Sequence, residues 1–196
     1  MVFEYNGYMK MKNPDGNELL FAKRTPKFPP KVAYTLLEIA NDLSQNKSAL
    51  YDPFCGNGTI LTVAGLNFEG QFKHLFGSDI ASEAVDSTRL NLATFTNLSD
   101  QEILAQTAVI DCTYQFPVNL IGHITTIVSD PPFGKRCSLP KGTLEKAFAN
   151  FTNQDISNLT FCFDDKTPLP TGISEHYKIK KVLSRWDRDF YIAQQK

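Results

Sequence analysis

Val32, Leu36, Ile39, Ala40 and Leu43 recur at the three- and four-residue spacing of an amphipathic helix that covers one face of a sheet. Pro29 and Pro30 suit its first turn, and Ser44-Gln45-Asn46 ends it. Beyond it, short apolar runs alternate with helical stretches. Ala49 to Asp52 reads as a strand, followed by a Gly-rich turn and a helix from Thr59 to about Leu66. The next cycle is a strand from Leu75 to Asp79 and a helix from Ser82 to about Phe95, with Val85, Leu90 and Leu92 among its apolar positions. A third strand is Ala108 to Asp111. The fourth, Ile124 to Ser129, is mostly β-branched and stops at Asp130-Pro131-Pro132-Phe133-Gly134, a run that cannot continue a strand. A short helix around Thr143 to Phe151 and a strand from Leu159 to Phe163 follow. Strands alternating with helices in this way predict a mainly parallel sheet covered on both faces.

The tail departs from this rhythm. Tyr177 to Ser184 and Phe190 to Ala193 read as two strands joined through the polar residues Asp187 to Asp189, an antiparallel hairpin that closes the sheet. Between Asp164 and Ser174, Pro168, Pro170 and Gly172 leave little helical periodicity, so the last covering helix is expected to shrink to a loop and leave that face open.

A chain of 196 residues, 42% hydrophobic and 21% charged, is long enough for one full core and is not a disordered composition. Cys55, Cys112, Cys137 and Cys162 are too widely spaced for a zinc site or a disulfide scaffold, and a reducing compartment fits best. No apolar run approaches the ~20 residues of a membrane span, and the N-terminus lacks the apolar core of a signal peptide. A cytoplasmic protein without membrane attachment is expected. The net charge of −1 hides a division. Residues 1–31 carry six Lys/Arg against three Asp/Glu, residues 175–196 also six against three, and the middle eight against fifteen. Basic ends offer a polyanion a landing surface, or are simply solvated faces.

Candidate chemistry lies where strands end. In ALYDPFCGNGTI, from Ala49 to Ile60, a strand delivers Asp52 and a G-x-G turn into a helix; Gly56 and Gly58 allow a tight turn and close approach of a ligand, or serve sterics alone. No Lys-Ser/Thr follows, which excludes a P-loop, and the dinucleotide fingerprint is incomplete. Asp79 ends the next strand in GSDI, where doubly wound folds place a carboxylate for ribose hydroxyls, although capping the next helix explains it too. Asp111, closing VIDC, is placed to accept from an adenine amine or to shape a turn. SDPPFG, Ser129 to Gly134, is the most specific run. An exocyclic amine needs two acceptors to localise its lone pair: Asp130 supplies one, the Pro131 carbonyl the other, with Pro132 holding its direction. Phe133 would stack on the base and Gly134 leave room for it.

In the order DPFCGNGT, GSD, DPPFG, the chain resembles the class I S-adenosylmethionine-dependent methyltransferases that modify exocyclic amines. The form of the first and last motifs is similar to the RNA guanine-N2 methyltransferases of ribosomal and transfer RNA. FPPKVAYTLLEIA with CGNGTILTVAGL is similar to the ribosomal RNA methyltransferases of the avilamycin-resistance type. The resemblance implies a Rossmann-like α/β three-layer sandwich, with a mostly parallel seven-stranded sheet and a C-terminal antiparallel hairpin. It implies cofactor binding by Asp52, Pro53, Cys55, Gly56, Gly58, Thr59, Asp79 and Asp111, with Asp52 and the glycine turn on the methionine part, Asp79 on the ribose and Asp111 on the adenine. Asp130, Pro131, Pro132 and Phe133 would hold the target amine, without a metal. The expected substrate is RNA, ribosomal before transfer. A basic segment, residues 1–27, would precede the methyltransferase domain, 28–196, and Lys23, Arg24, Lys27, Lys178, Lys180 and Lys181 would form the landing surface.

Three alternatives remain at this point: a DNA adenine or cytosine amino-methyltransferase, a protein or small-molecule N-methyltransferase, and a cofactor-binding module without turnover. His74, His123 and His176 read as packing or surface residues, and Cys55 as a small residue under the turn. Cys137 is open, and Trp186 is either a core anchor or a nucleic-acid contact.

Overall fold

The computed structural model describes residues 28–43, 49–68, 70–96, 103–116, 126–132, 140–154, 156 and 158–196. Helix α1 is Pro30–Leu43, strand β1 Ala49–Asp52, α2 Thr59–Asn67, β2 His74–Asp79, α3 Ser82–Thr96 and β3 Leu104–Val109. They are followed by β4 Thr126–Ser129, α4 Thr143–Thr152, β5 Asn158–Asp164, α5 Ile173–His176, β6 Tyr177–Arg185 and β7 Arg188–Gln195. The strands make one seven-stranded sheet in the order β3-β2-β1-β4-β5-β7-β6. The first five run parallel, and β7 pairs antiparallel with both β5 and β6. This is the expected α/β class. Because the chain winds outward from β1 to β3 and then returns to β4, the direction of winding reverses between β1 and β4. A crevice opens at the carboxyl ends of strands at such a point.

The strands are apolar on both faces, as a covered parallel sheet requires. Leu50, Leu75, Val128 and Cys162 join α1 and α2 in one cluster; their neighbours Tyr51, Phe76, Ile127 and Phe161 join α4 in the other. The face of α1 carrying Val32, Ala33, Leu36, Leu37 and Ala40 is buried. Each fully buried Leu or Val there contributes roughly 1.5–3 kcal/mol. In α3, by contrast, Leu90 is solvent-exposed, and the buried stripe is Ala84, Val85, Thr88, Asn91 and Leu92.

Three sequence expectations are corrected. Strand β3 is Leu104–Val109 rather than Ala108 to Asp111, with His74 opposite Leu104 and Asp79 opposite Val109. It is an edge strand with Leu104 and Val109 exposed, so its hydrophobic pattern does not mark its ends. Asp111 therefore lies two residues beyond the strand. The segment after β5 does lack a long helix. It is not open, because Leu169 and Ile173 pack onto the aromatic cluster of Phe148, Phe161 and Tyr177. Finally, β6 and β7 are joined by Trp186 and Asp187 alone, at φ 54° and 56°. Two successive left-handed residues form the turn that matches strand twist, though Asn-Gly is the usual choice for it. The half-buried Trp186 ring packs on the α1 side of the core, with the Lys31 ammonium 4.7 Å and the Arg185 guanidinium 4.4 Å from its centre.

Candidate active site

The first two motifs fold into one bonded unit. The Cys55 N–H donates to the Ser78 carbonyl at 2.9 Å, and the Gly56 N–H donates to Asp79 Oδ2 at 3.0 Å, so the turn after β1 is laced to the end of β2. Gly77 permits this: a Cβ there would lie 2.6 Å from Leu61 Cδ1 and 3.2 Å from Cys55 Cβ. Gly58, at φ 74°, leads into α2 with no room above it, since a Cβ would meet Thr88 Cγ2 at 2.7 Å. Thr88 Oγ1 donates to the Gly56 carbonyl at 2.8 Å and Asn91 Nδ2 to the Asn57 carbonyl at 2.8 Å. Cys55 is buried beneath the turn, and burial holds its thiol well above the ordinary range, which suits packing rather than nucleophilic chemistry.

Three carboxylates stand along the strand ends, each in its own surroundings. Asp52 is only 1% exposed, and its Oδ1 accepts from the Ser129 hydroxyl at 2.6 Å and the Phe54 N–H at 3.2 Å. Burial pushes this carboxyl up to about 7 against the pull of those two donors, and the nearby Asp79 and Asp130 charges add to the rise. Asp79 takes the Ala81 N–H on Oδ1 at 3.0 Å and the Gly56 N–H on Oδ2. Burial raises it as well, opposed by backbone N–H groups. A carboxylate has about four acceptor positions, so two turn bonds are compatible with further hydroxyl donors. Asp111 Oδ1 accepts from both the N–H (3.0 Å) and the hydroxyl (2.7 Å) of Thr113, the turn role its sequence position allowed.

Across the crevice, Asp130 follows β4. Its Oδ1 accepts from Arg188 Nη1 at 2.6 Å and from the Cys162 thiol at 3.2 Å. Pro131 is buried and Pro132 half-buried. Phe133, Gly134, Cys137, His123, Lys23, Arg24 and Lys27 lie outside the described residues. His74 is exposed at the start of β2, and His176 ends α5.

One cavity of about 800 Å³ joins these groups. Asp52, Pro53, Cys55, Gly56, Thr59, Asp79 and Asp111 line it, as do Asp130, Pro131 and Pro132. Gly58 is not among the lining residues; it packs on Thr88. The volume lies in the range of small-molecule sites. Asp52 and Asp79 at neighbouring strand ends, with Asp111 two residues past β3, offer acceptors for the donors of S-adenosylmethionine, an ammonium, ribose hydroxyls and an adenine amine, so the residues present fit that cofactor. Among the described residues no group of three or more His, Cys, Asp or Glu is arranged to hold a metal ion. No helix among them is long and apolar enough to cross a membrane.

The structure adds residues that the motifs did not name. Thr88 and Asn91 are polar positions on the buried stripe of α3, and that stripe is the signal that could have found them. Phe28, just ahead of the two prolines, also lines the cavity. Arg188 lies 58 residues from Asp130, and nothing in the local sequence ties the two together.

The family model described as rRNA methyltransferase AviRa matches residues 1–115. The chain is 34% identical, over 142 residues, to a probable tRNA (guanine(10)-N2)-dimethyltransferase of Methanothermococcus thermolithotrophicus, an alignment covering 70% of this chain and 84% of that protein. It is 30% identical over 130 residues to the tRNA (guanine(10)-N2)-dimethyltransferase of Methanothermobacter thermautotrophicus, covering 66% of this chain but 34% of that longer relative. Among solved structures, the rRNA methyltransferase AviRa of Streptomyces viridochromogenes superposes with a TM-score of 0.69 at 16% identity, over 90% of this chain and 88% of that one. At that identity the likeness is one of fold.

Proposed function

Because this chain belongs to the AviRa rRNA methyltransferase family, we propose that it moves a methyl group from S-adenosylmethionine to the N2 amine of a guanine in ribosomal RNA. The observation that carries the reading is that the carboxylates of β1 and β2 share one cavity with Asp130, Pro131 and Pro132. When bound, the cofactor supplies a methyl group on a sulfonium, an electrophile that needs no further activation. Asp52 and the turn through Gly56 receive its methionine part, Asp79 its ribose and Asp111 its adenine. Asp130 and the Pro131 carbonyl accept the two amine hydrogens, localising the nitrogen lone pair and aiming it. Phe133 stacks on the base. The N–C bond would form as the carbon–sulfur bond of the sulfonium breaks, S-adenosylhomocysteine would leave, and the methylated nitrogen would pass its extra proton to water, so that the protein's part is positioning and polarisation.

Residues 1–27 would act as a basic segment ahead of the methyltransferase domain, and a cytoplasmic location fits an RNA substrate. Transfer RNA is the second reading, favoured by the names of the two archaeal relatives. Mass mapping of modified nucleosides in ribosomal and transfer RNA, from cells with and without this protein, tests both. The expected result is loss of an N2-methylated guanosine from ribosomal RNA. Loss from transfer RNA alone moves the substrate to the second reading, and an unchanged guanosine profile overturns the assignment.

A further inference from the structure

Asp130 is held by the last hairpin of the chain. Arg188 Nη1 donates to Asp130 Oδ1 at 2.6 Å, with the two side chains 17% and 20% exposed, and the Cys162 thiol donates to the same oxygen at 3.2 Å. The two donors come from the strands beyond β4: Cys162 from the middle of β5, and Arg188 from the first position of β7, opposite Asp164. The backbone that leads into Arg188 is itself unusual. Arg188 immediately follows Trp186 and Asp187, both left-handed without being glycine. Such backbone persists only where surrounding structure over-determines it, and it concentrates at functional sites. Here the Lys31 and Arg185 cations both lie over the Trp186 ring, which packs against the core, and the Arg188 guanidinium lies 5.9 Å from the centre of the Phe28 ring. A two-residue turn has no slack, so anchoring Trp186 fixes where Arg188 begins.

We propose that Arg188 is the positioning residue of the transfer reaction: it clamps one oxygen of Asp130, fixing that carboxylate's rotamer and charge so that it can accept a hydrogen from the target amine. The inference rests on the methyl-transfer reading above. A partly desolvated carboxylate must remain anionic to polarise an amine, and a guanidinium in contact keeps it so. Two further described groups do the opposite or little: Asp52, from β1, interacts with Asp130 by like charge, and the Cys162 thiol is a weak donor. With both side chains only partly exposed, water screens this pair less than it screens a surface salt bridge.

The test uses the full chain with unmodified bulk RNA and radiolabelled S-adenosylmethionine. Arg188→Met removes the charge while keeping bulk, and Arg188→Lys keeps the charge without the planar fork. Arg188→Met is expected to lower the single-turnover rate tenfold or more, to move the acid limb of the pH–rate profile to higher pH, and to leave S-adenosylhomocysteine affinity within twofold. Arg188→Lys restores part of the rate and the original acid limb. A raised KM for RNA with an unchanged rate at saturation would make Arg188 an RNA contact and overturn the proposal. So would parallel losses of rate, melting temperature and cofactor affinity. Carbon NMR titration of the Asp130 carboxyl with S-adenosylhomocysteine bound needs no RNA, so it separates the two readings. Proton affinity that rises at least tenfold in Arg188→Met supports the clamp even if the wild type proves inactive on RNA. An unmoved titration overturns it whatever the activity.

Discussion

Asp52 and Asp130 stand at the ends of β1 and β4, which are neighbours in the sheet, yet they are satisfied in opposite ways. Asp52 is held by neutral donors, a hydroxyl and a backbone N–H, and burial brings it to about 7. Asp130 is held by a guanidinium. The first belongs to a region whose bonds run mostly among β1, its turn, β2 and α3, with the Ser129 hydroxyl of β4 as its tie to the next strand. The second belongs to a region completed only when the C-terminal hairpin docks. The cofactor side is thus knit mainly from consecutive elements, and the target side is assembled from distant parts. Perturbing the first should move binding and stability together. Perturbing the second should move rate alone.

The largest effect falls on the target side. Asp130→Ala is expected to slow methyl transfer by about 10²-fold or more, on the order of 3 kcal/mol, because the proposed hydrogen bond from the amine would strengthen as the amine attacks. Calorimetry with S-adenosylhomocysteine should find affinity within about twofold of the parent. An Asp130→Ala protein with near-normal single-turnover rate would sink the assignment.

On the cofactor side, Gly77→Ala puts a methyl group 2.6 Å from Leu61 Cδ1 and 3.2 Å from Cys55 Cβ, so both side chains must shift within a buried core. A loss of roughly 1–3 kcal/mol in stability is expected, with cofactor affinity falling alongside it. Asp79→Ala removes the acceptor of the Gly56 N–H and the proposed ribose partner at once. It should weaken cofactor binding by about 1–3 kcal/mol. Thermal melts and calorimetry on both variants check whether the two losses travel together; if Gly77→Ala melts earlier but binds normally, the unit is not coupled as described.

The same contrast explains what the sequence reveals. On the cofactor side, carboxylate, glycines and helix start lie within ten residues, and their spacing states their geometry; β1, α2 and the end of β2 are legible for that reason. The edge strand β3 is not, because Leu104 and Val109 face solvent and pair on one side only. Nor is the turn at Trp186 and Asp187, where packing against α1 overrides the usual preference for Asn-Gly. The partner of Asp130 is the least legible feature, since an Arg on a terminal hairpin carries no local mark of what it will meet.

Asp52 sharpens the comparison through pH. With its folded value raised to about 7 from an ordinary 3.8, the folded protein holds a proton there that the unfolded chain has released. Its contribution to stability is therefore full below pH 3.8 and is lost as pH rises through about 7. Asp52→Asn should flatten that part of a melting-temperature profile. If the cofactor's ammonium keeps Asp52 ionised, affinity should follow the opposite course, weakening by up to about tenfold per pH unit below 7. Parallel pH dependence of affinity in Asp52→Asn and the parent would remove Asp52 from the methionine subsite.

The smallest effects are expected at the edge strand β6, where Lys178, Lys180 and Lys181 are exposed. Lysines on a free edge also deter strand-to-strand aggregation, so two readings compete. If the three meet RNA phosphates, each Lys→Ala change should lower the slope of log affinity against log salt by about 0.7 for single strands, with the transfer rate at saturation unchanged. The three should not be equal. Lys181 already donates to Asp189 Oδ2 at 3.1 Å, and Asp189 is held below the usual carboxylate range, against the pull of its burial, by hydrogen bonds from Ser184, Lys181 and Tyr191. A lysine already engaged by a carboxylate releases fewer counterions on meeting a phosphate, so Lys181→Ala should change the slope least. Filter binding of bulk RNA across a salt series measures this. Equal slopes in all three variants, with new self-association in their sedimentation, would assign the lysines to edge protection instead.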